Sequence, residues 1–277
     1  GGRAGGAALG LWGNAFRALE ALGAAERLRA AQPLRLRRVQ LCSAARAGPS
    51  QLLREFSFAE CGDPDHEFRG VRRPALLAAL EGSLREETGG GAAASLAQVW
   101  PGQAVAGVRP LAGAGGGVEV LGEGGEVLLE AACAVGCDGA GSRVARDVLE
   151  IRPSPNPPLL LRRPGAGAAS TTRYAGYAAY RGVARAAPGG LCLPSDAIRQ
   201  VWGRGVRAGL YPVSEEEVYW FVCFNAGESE LGALSAAGGA ARRADALARV
   251  AGWPGALGVE AAVAATAGED RKSTRLN

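Results

Sequence analysis

The residue types most able to do chemistry lie together in Val135-Gly136-Cys137-Asp138-Gly139-Ala140-Gly141-Ser142-Arg143-Val144-Ala145-Arg146. A short apolar run, Ala131 to Val135, stops at Asp-Gly, a Ser follows, and two arginines then stand three residues apart. A strand that ends at Asp-Gly and turns into a helix presents backbone N–H groups and one carboxylate at the carboxyl edge of a sheet. Open α/β sheets bind nucleotide cofactors at that edge. Asp138 has a second reading as a helix N-cap, and the two can hold together. Arg143 and Arg146 either neutralise phosphate or form a solvated helix face.

Other chemistry is largely excluded by what the chain contains. It has 277 residues and one histidine, His66, in a polar stretch that reads as a surface loop. No G-x-S-x-G precedes a helix, so a Ser-His-Asp hydrolase is set aside. The six cysteines form no C-x-x-C pair, and with one histidine they do not suggest a metal site. Cys42, Cys133 and Cys223 sit in strand-like apolar runs and read as small buried hydrophobes in a reducing, intracellular compartment, cytosol or plastid. Net charge is +4, but Arg35, Arg37 and Arg38 form the densest basic patch, with acids close upstream. That patch reads as a solvated strand face, not a nucleic-acid footprint. No apolar run approaches the roughly 20 residues of a membrane span. Hydrophobic residues make up 48% of the chain and charged residues 21%, a globular composition.

The elements that must position these groups can be read from periodicity. Residues 1–10 are rich in glycine and alanine. Asn14 is placed to cap a helix with Phe16, Leu19 and Leu22 on one face, stopped by Gly23. A short helical run follows over 24–30. Residues 34–41 alternate as a half-exposed strand does, and 51–58 read as another. Residues 59–70 read as a loop. Pro74 suits the first turn of a helix whose buried stripe is Leu76, Leu77, Leu80 and Leu84. Strand-like segments fill 96–136, with a hairpin at Gly122-Glu123-Gly124-Gly125, a buried strand over 131–135 and a helix over 141–149. Residues 152–170, rich in Pro, Gly and Ala, mark a domain boundary or linker. Beyond it, 174–183, 201–212 and 218–225 read as long antiparallel strands with one face covered. Helices are expected over 240–251 and 254–266.

Several of these segments together resemble single-component FAD-dependent monooxygenases of the aromatic-hydroxylase type. The stretch from Gly6 to Gly23 is similar to the family's G-x-x-L-x-x-x-N-x-x-x-x-L-x-x-L-G segment. Arg73 to Leu80 resembles its R-x-x-L-x-x-x-L helix, and Gly136 to Arg146 its G-x-D-G-x-x-S-x-V-x-R motif. Tyr174 to Gly182 resembles the Y-x-G-Y-x-x-Y/W-R-G strand that opens the substrate half. Gly209 to Val213 with Val218 to Phe221 resembles the next strand pair. The resemblance runs over about residues 5–268, nearest to the plant and algal branch around zeaxanthin-epoxidase-like and salicylate-hydroxylase-like enzymes.

The resemblance implies an α/β fold: an incomplete FAD-binding Rossmann-type domain over 1–152, and a mostly antiparallel β-sheet substrate domain with C-terminal helices over 153–268. Residues 269–277 read as a disordered or non-native tail. The family's G-x-G-x-x-G strand is expected before residue 1 and its later Gly-Asp segment after residue 268, so the chain by itself is expected to hold FAD poorly. The implied cofactors are FAD and NAD(P)H, and the implied partners are O₂ and a small aromatic or unsaturated substrate, hydroxylated or epoxidised through a flavin C4a-hydroperoxide. Flavin contacts are implied for Arg73, Asp138, Gly139, Gly6 and Ala7, with Arg72 as an alternative to Arg73. Tyr177 and Arg181 are candidates for the substrate side; Trp220 and Phe224 read as core. Two rivals are a degenerate relative that holds no flavin and a flavoprotein reductase of related fold.

Overall fold

A computed structural model of the chain describes residues 8–45, 51–61, 66–87, 97–111, 116–139, 142–145 and 175–266. They form two compact units, one drawn from 1–97 with 176–277, the other from 98–175. The boundary expected near 152 falls outside the described residues.

The first unit is organised by a six-stranded mixed sheet. Its strands are β2 (Arg38–Ser43), β3 (Leu52–Ser57), β8 (Tyr177–Arg185), β9 (Ala197–Trp202), β10 (Val206–Pro212) and β11 (Glu217–Asn225), in the order β3-β2-β9-β10-β11-β8. Only β2 and β9 pair in parallel; the other neighbours are antiparallel. Because successive side chains alternate across a strand, each strand divides its residues between two layers. Tyr180, Leu210, Trp220, Val222 and Phe224 bury one face against Ala246, Val250, Ala262 and Val263. The last four belong to α5 (Gly239–Val250) and α6 (Val259–Ala264), which follow α4 (Glu228–Ala236). Polar groups inside this layer are matched. Trp220 Nε1 donates to Thr266 Oγ1 at 2.7 Å, and the Tyr180 hydroxyl donates to Asp245 at 2.8 Å. Buried Arg199 donates to Gln40 Oε1 and to the carbonyls of Cys192, Ala256 and Leu257.

Over part of the opposite face lies a two-stranded sheet, β1 (Ala8–Trp12) antiparallel to β4 (Phe68–Arg72). Its far side carries α1 (Gly13–Ala21), α2 (Ala25–Ala31) and α3 (Arg73–Glu87) around Phe16, Leu19, Leu28, Val71 and Ala79. Glu67 accepts from Arg29 and Arg69, both at 2.6 Å, joining α2 to the start of β4.

The second unit contains a three-stranded meander, β5 (Val105–Pro110), β6 (Val118–Gly122) and β7 (Val127–Ala131). The expected hairpin turn at 122–125 is present, closed by Gly125 N–H donating to the Gly122 carbonyl at 3.0 Å.

Several expectations are corrected. β1 emerges from the Gly/Ala-rich segment and β4 from the expected loop; Trp12, not Asn14, precedes α1 as its cap, with no side-chain cap bond. Helix α4, with two serines and a glycine, was not foreseen. In α3 the inward stripe is Ala75, Leu76, Ala79, Leu80 and Ser83, whereas Leu77 and Leu84 are exposed. The alanines at 75 and 79 share this cluster with the bulky Phe16, Leu19 and Leu28 of α1 and α2. The buried strand expected over 131–135 is absent: the meander ends at Ala131, Val135 is 83% exposed, and Cys133 is exposed rather than buried. Apolar run length alone does not make a strand; a neighbour must accept its ladder bonds, and no described residue does. His66 is half-buried rather than a surface side chain, its ring 5.2 Å from Trp12 and 4.9 Å from Phe58.

Candidate functional site

The alternation that sends Trp220 and Phe224 to the core sends their neighbours to the other face. Across β8, β11 and β10, Arg181 lies opposite Phe221 and Phe221 opposite Gly209. Val183 faces Tyr219, which faces Tyr211; Ala179 faces Cys223, which faces Arg207. Residues directly opposite in antiparallel strands point the same way. One face therefore carries Tyr177, Arg181, Arg207, Tyr211, Tyr219, Phe221 and Cys223. Gly209 leaves room for the Phe221 ring, which occupies the space that a side chain at 209 would fill.

The face is graded from dry to open. Tyr211 and Tyr219 stack with ring centres 4.6 Å apart and are buried under Phe68, which meets Tyr211 edge-on at 5.9 Å. Phe221, Cys223 and Arg181 are half-buried, and Tyr177 is 48% exposed. At the open end Tyr177, Arg207, Cys223 and Asn225 line a pocket of about 240 Å³. The sequence-predicted pair is thus on one face: Tyr177 lines the pocket, and Arg181 stands one row further in.

Charge on this face is one-sided. The Arg181 guanidinium acts electrostatically on the Tyr219 and Tyr211 hydroxyls and on the Cys223 thiol. Burial pushes the Tyr219 hydroxyl up to about 12, and the Arg181 guanidinium opposes that rise. Burial likewise raises the Cys223 thiol, against the combined pull of Arg207 and Arg181. The acid on the same face, Glu217, is already paired with Arg72 at 2.8 Å.

That pairing bears on the flavin-side candidates. Arg72 is held by Glu217, and its backbone N–H donates to Gln32 Oε1 at 2.9 Å. Arg73 begins α3, is exposed, and has no ion-pair partner among the described residues. Of the two, Arg73 is the exposed guanidinium, a planar fork of the kind that matches a carboxylate or phosphate group. Gly6 and Ala7 lie outside the described residues.

Asp138 and Gly139 lie in the second unit. Asp138 Oδ1 accepts from Ser142 Oγ at 2.5 Å, and Oδ2 accepts from the Arg143 and Val144 N–H groups at 2.6 and 3.4 Å. The Ser142 bond first, with the backbone N–H groups, lowers the Asp138 carboxyl below the usual range. Gly139 takes φ +83°, a left-handed conformation that favours glycine, and the space beside its Cα is open. The carboxylate therefore holds the turn and leaves the Gly139 backbone approachable. Arg143 donates to the Val105 carbonyl at 3.0 Å and pairs with Glu123 at 3.5 Å, a local structural role. Arg146 lies outside the described residues.

Tyr211, Tyr219 and Arg207 were not singled out as site residues by the sequence. Their signal is strict alternation around Trp220, which fixes which residues share a face once one is known to be core.

No protein-family model matches the chain. It is similar to an aurachin C monooxygenase/isomerase of Stigmatella aurantiaca, 31% identical over 119 residues, which are 43% of this chain and 24% of that protein. Among solved structures it is similar to HpxO of Klebsiella pneumoniae complexed with FAD and uric acid: TM-score 0.65, 22% identity, 98% of this chain and 58% of that one. It is also similar to 2-methyl-3-hydroxypyridine-5-carboxylic acid oxygenase: TM-score 0.61, 18% identity, 99% of this chain and 60% of that one. The chain thus spans about three fifths of these solved proteins and its match about a quarter of the curated relative. The α/β fold with mixed sheets is that of the aromatic-hydroxylase-like flavoproteins.

Proposed function

We propose that the protein carrying this chain is an FAD-dependent, NAD(P)H-using monooxygenase that hydroxylates or epoxidises an aromatic or unsaturated small molecule. The observation that carries this reading is the coincidence of two independent likenesses. The similar sequence belongs to a monooxygenase/isomerase, and a similar solved structure, over 98% of this chain, contains FAD and uric acid. Placement in the plant and algal branch belongs to the same proposal, as does the division into a flavin domain before residue 152 and a substrate domain after it.

The chain's residues fit such a cofactor. Arg73, exposed and without an ion-pair partner among the described residues, supplies a permanently charged guanidinium suited to a diphosphate. In the second unit, Asp138 holds a turn that leaves the Gly139 backbone open to a flat group. Gly6 and Ala7 offer the same small profile by composition. The flavin, when bound, takes reducing equivalents from NAD(P)H and activates O₂, one oxygen atom going to the substrate and the other to water. The protein's share is placement and water exclusion. The half-buried Phe221 ring offers an aromatic surface to a planar substrate, backed by the buried Tyr211–Tyr219 stack. Tyr177 stands at its open edge, and Arg181 fixes orientation through charge.

The test is NAD(P)H oxidation by the protein expressed from its complete gene, supplied with FAD and a panel of planar aromatics. Oxidation stimulated by one of them, with an oxygenated product, is the expected result. Protein loaded with FAD that reduces acceptors without oxygenating any ring would overturn the reading in favour of a reductase.

A further inference from the structure

Strand β4 ends at Arg72 and helix α3 begins at Arg73, with no loop residue between them. A displacement of residue 72 therefore passes directly to residue 73. Arg72 is held from three directions. It pairs with Ala8 at the end of the β1–β4 ladder, its backbone N–H donates to Gln32 Oε1 at 2.9 Å, and its guanidinium donates to Glu217 at 2.8 Å. Glu217 is itself fixed, because its carbonyl accepts from the Val213 and Ser214 N–H groups at 2.8 and 3.3 Å and so closes the β10–β11 turn. Two residues earlier on β4, Gly70 lies against the Pro212 carbonyl at the end of β10. The strand is thus tied to the β10–β11 hairpin twice, once by close packing and once by charge. The Arg72 and Glu217 side chains are 31% and 23% exposed, so water screens the pair only in part.

Arg73 itself is exposed. A long arginine loses rotamer freedom when it grips a ligand, and a fixed base limits how much more must be ordered on binding. We propose that Glu217 is a positioning residue for a flavin diphosphate: through Arg72 it fixes the start of α3, and with it the point from which Arg73 reaches. This role rests on the reading of Arg73 as a flavin grip. It also has a distinctive sign. If charge alone mattered, removing the negative charge of Glu217 would favour an anionic ligand. Loss of the tie predicts the opposite, weaker binding.

The experiment is a double-mutant cycle on FAD affinity, read from flavin fluorescence during titration of the flavin-stripped protein expressed from its complete gene. Glu217→Gln should weaken FAD about fivefold, and Glu217→Asp, which keeps the charge, should recover part of that loss. In an Arg73→Ala background, Glu217→Gln should change affinity by less than about twofold, since its effect runs through Arg73. Glu230→Gln, which breaks a pair of similar length with Arg249 at 2.7 Å, should leave FAD affinity unchanged. If Arg73→Ala loses FAD while Glu217→Gln binds it equally or more tightly, or if the two losses simply add, the positioning role is overturned and Arg73 remains a grip. If Arg73→Ala keeps the parent affinity, the grip is overturned and the positioning role with it. Should Glu217→Gln fail to fold, Gln32→Ala, which releases another tie on Arg72, replaces it in the cycle with the same expected loss and the same overturning results.

Discussion

Gly70 of β4 lies so close to the Pro212 carbonyl of β10 that no side chain fits between the two backbones. This contact sets the spacing between the small β1–β4 layer and the six-stranded sheet, directly over the buried tyrosines. An added methyl at 70 would also sit 2.9 Å from the Tyr211 ring. Neither a carbonyl in a sheet nor a buried ring moves cheaply, so Gly70→Ala should cost about 1–3 kcal/mol, as overpacking does. Gly209→Ala meets the half-buried Phe221 ring, which can turn away, and should cost less than Gly70→Ala. Urea midpoints of the two variants check the order; Gly70→Ala as stable as the parent would show that the layers can separate.

Arg199 tests a different kind of burial. Its guanidinium satisfies Gln40 and three carbonyls, tying β9 to the segment before α6. Arg199→Leu removes the donors and leaves the acceptors buried, a loss of about 3 kcal/mol or more. The expected outcome is a lowered urea midpoint with unchanged slope. A neutral result would mean that water reaches those carbonyls.

Acid should weaken the protein through a definable group. Arg38 bonds to Asp196 at 2.5 Å, and that bond, against partial burial, holds the Asp196 carboxyl below its usual range. A depressed folded-state value means that stability is present above the unfolded value and is lost as pH falls through the folded one, below about 4. The pair is about a third exposed, so the contribution is at most about 1 kcal/mol. Asp196→Asn should be less stable at pH 7 yet flatter between pH 5 and 3, on the order of that difference. Parallel curves for the two proteins would remove Asp196 from the acid response.

The 138–145 turn can be probed without global unfolding. Asp138→Ala removes the acceptor of the Arg143 and Val144 amides. Hydrogen exchange at those amides should accelerate while protection in β8–β11 stays unchanged. Unaltered exchange at Arg143 would show that the turn holds without its carboxylate.

How much of this was legible in the sequence depends on whether the signal was local. The Asp138 turn was readable because Asp-Gly before a helix is a short-range pattern that the backbone satisfies within a few residues. β8 and β11 of the aromatic face were readable from length and alternation, whereas the run read as one strand over 201–212 is split between β9 and β10 at a turn. The partners of those strands were not, because β2 joins β9 across more than a hundred residues, a distance no periodicity spans. β1 and β4 were missed for the same reason: each is short, and its strand character comes from the other. The apolar run after Ala131 shows the converse, a strand-like composition without a neighbour to pair with. Arg72 and Arg73 could be told apart only by the structure, since Glu217, 145 residues away from Arg72, claims one of them.

The central claim is that this chain helps to hold a flavin, with Arg73 as one of its grips. The direct measurement is the FAD content of the protein expressed from its complete gene, read from absorbance near 450 nm, for the parent, Arg73→Ala and Arg146→Ala. The account predicts a yellow parent with close to one FAD per chain, marked loss in Arg73→Ala and little change in Arg146→Ala. A colourless parent that takes up no FAD on titration, or equal retention in both variants, would contradict it.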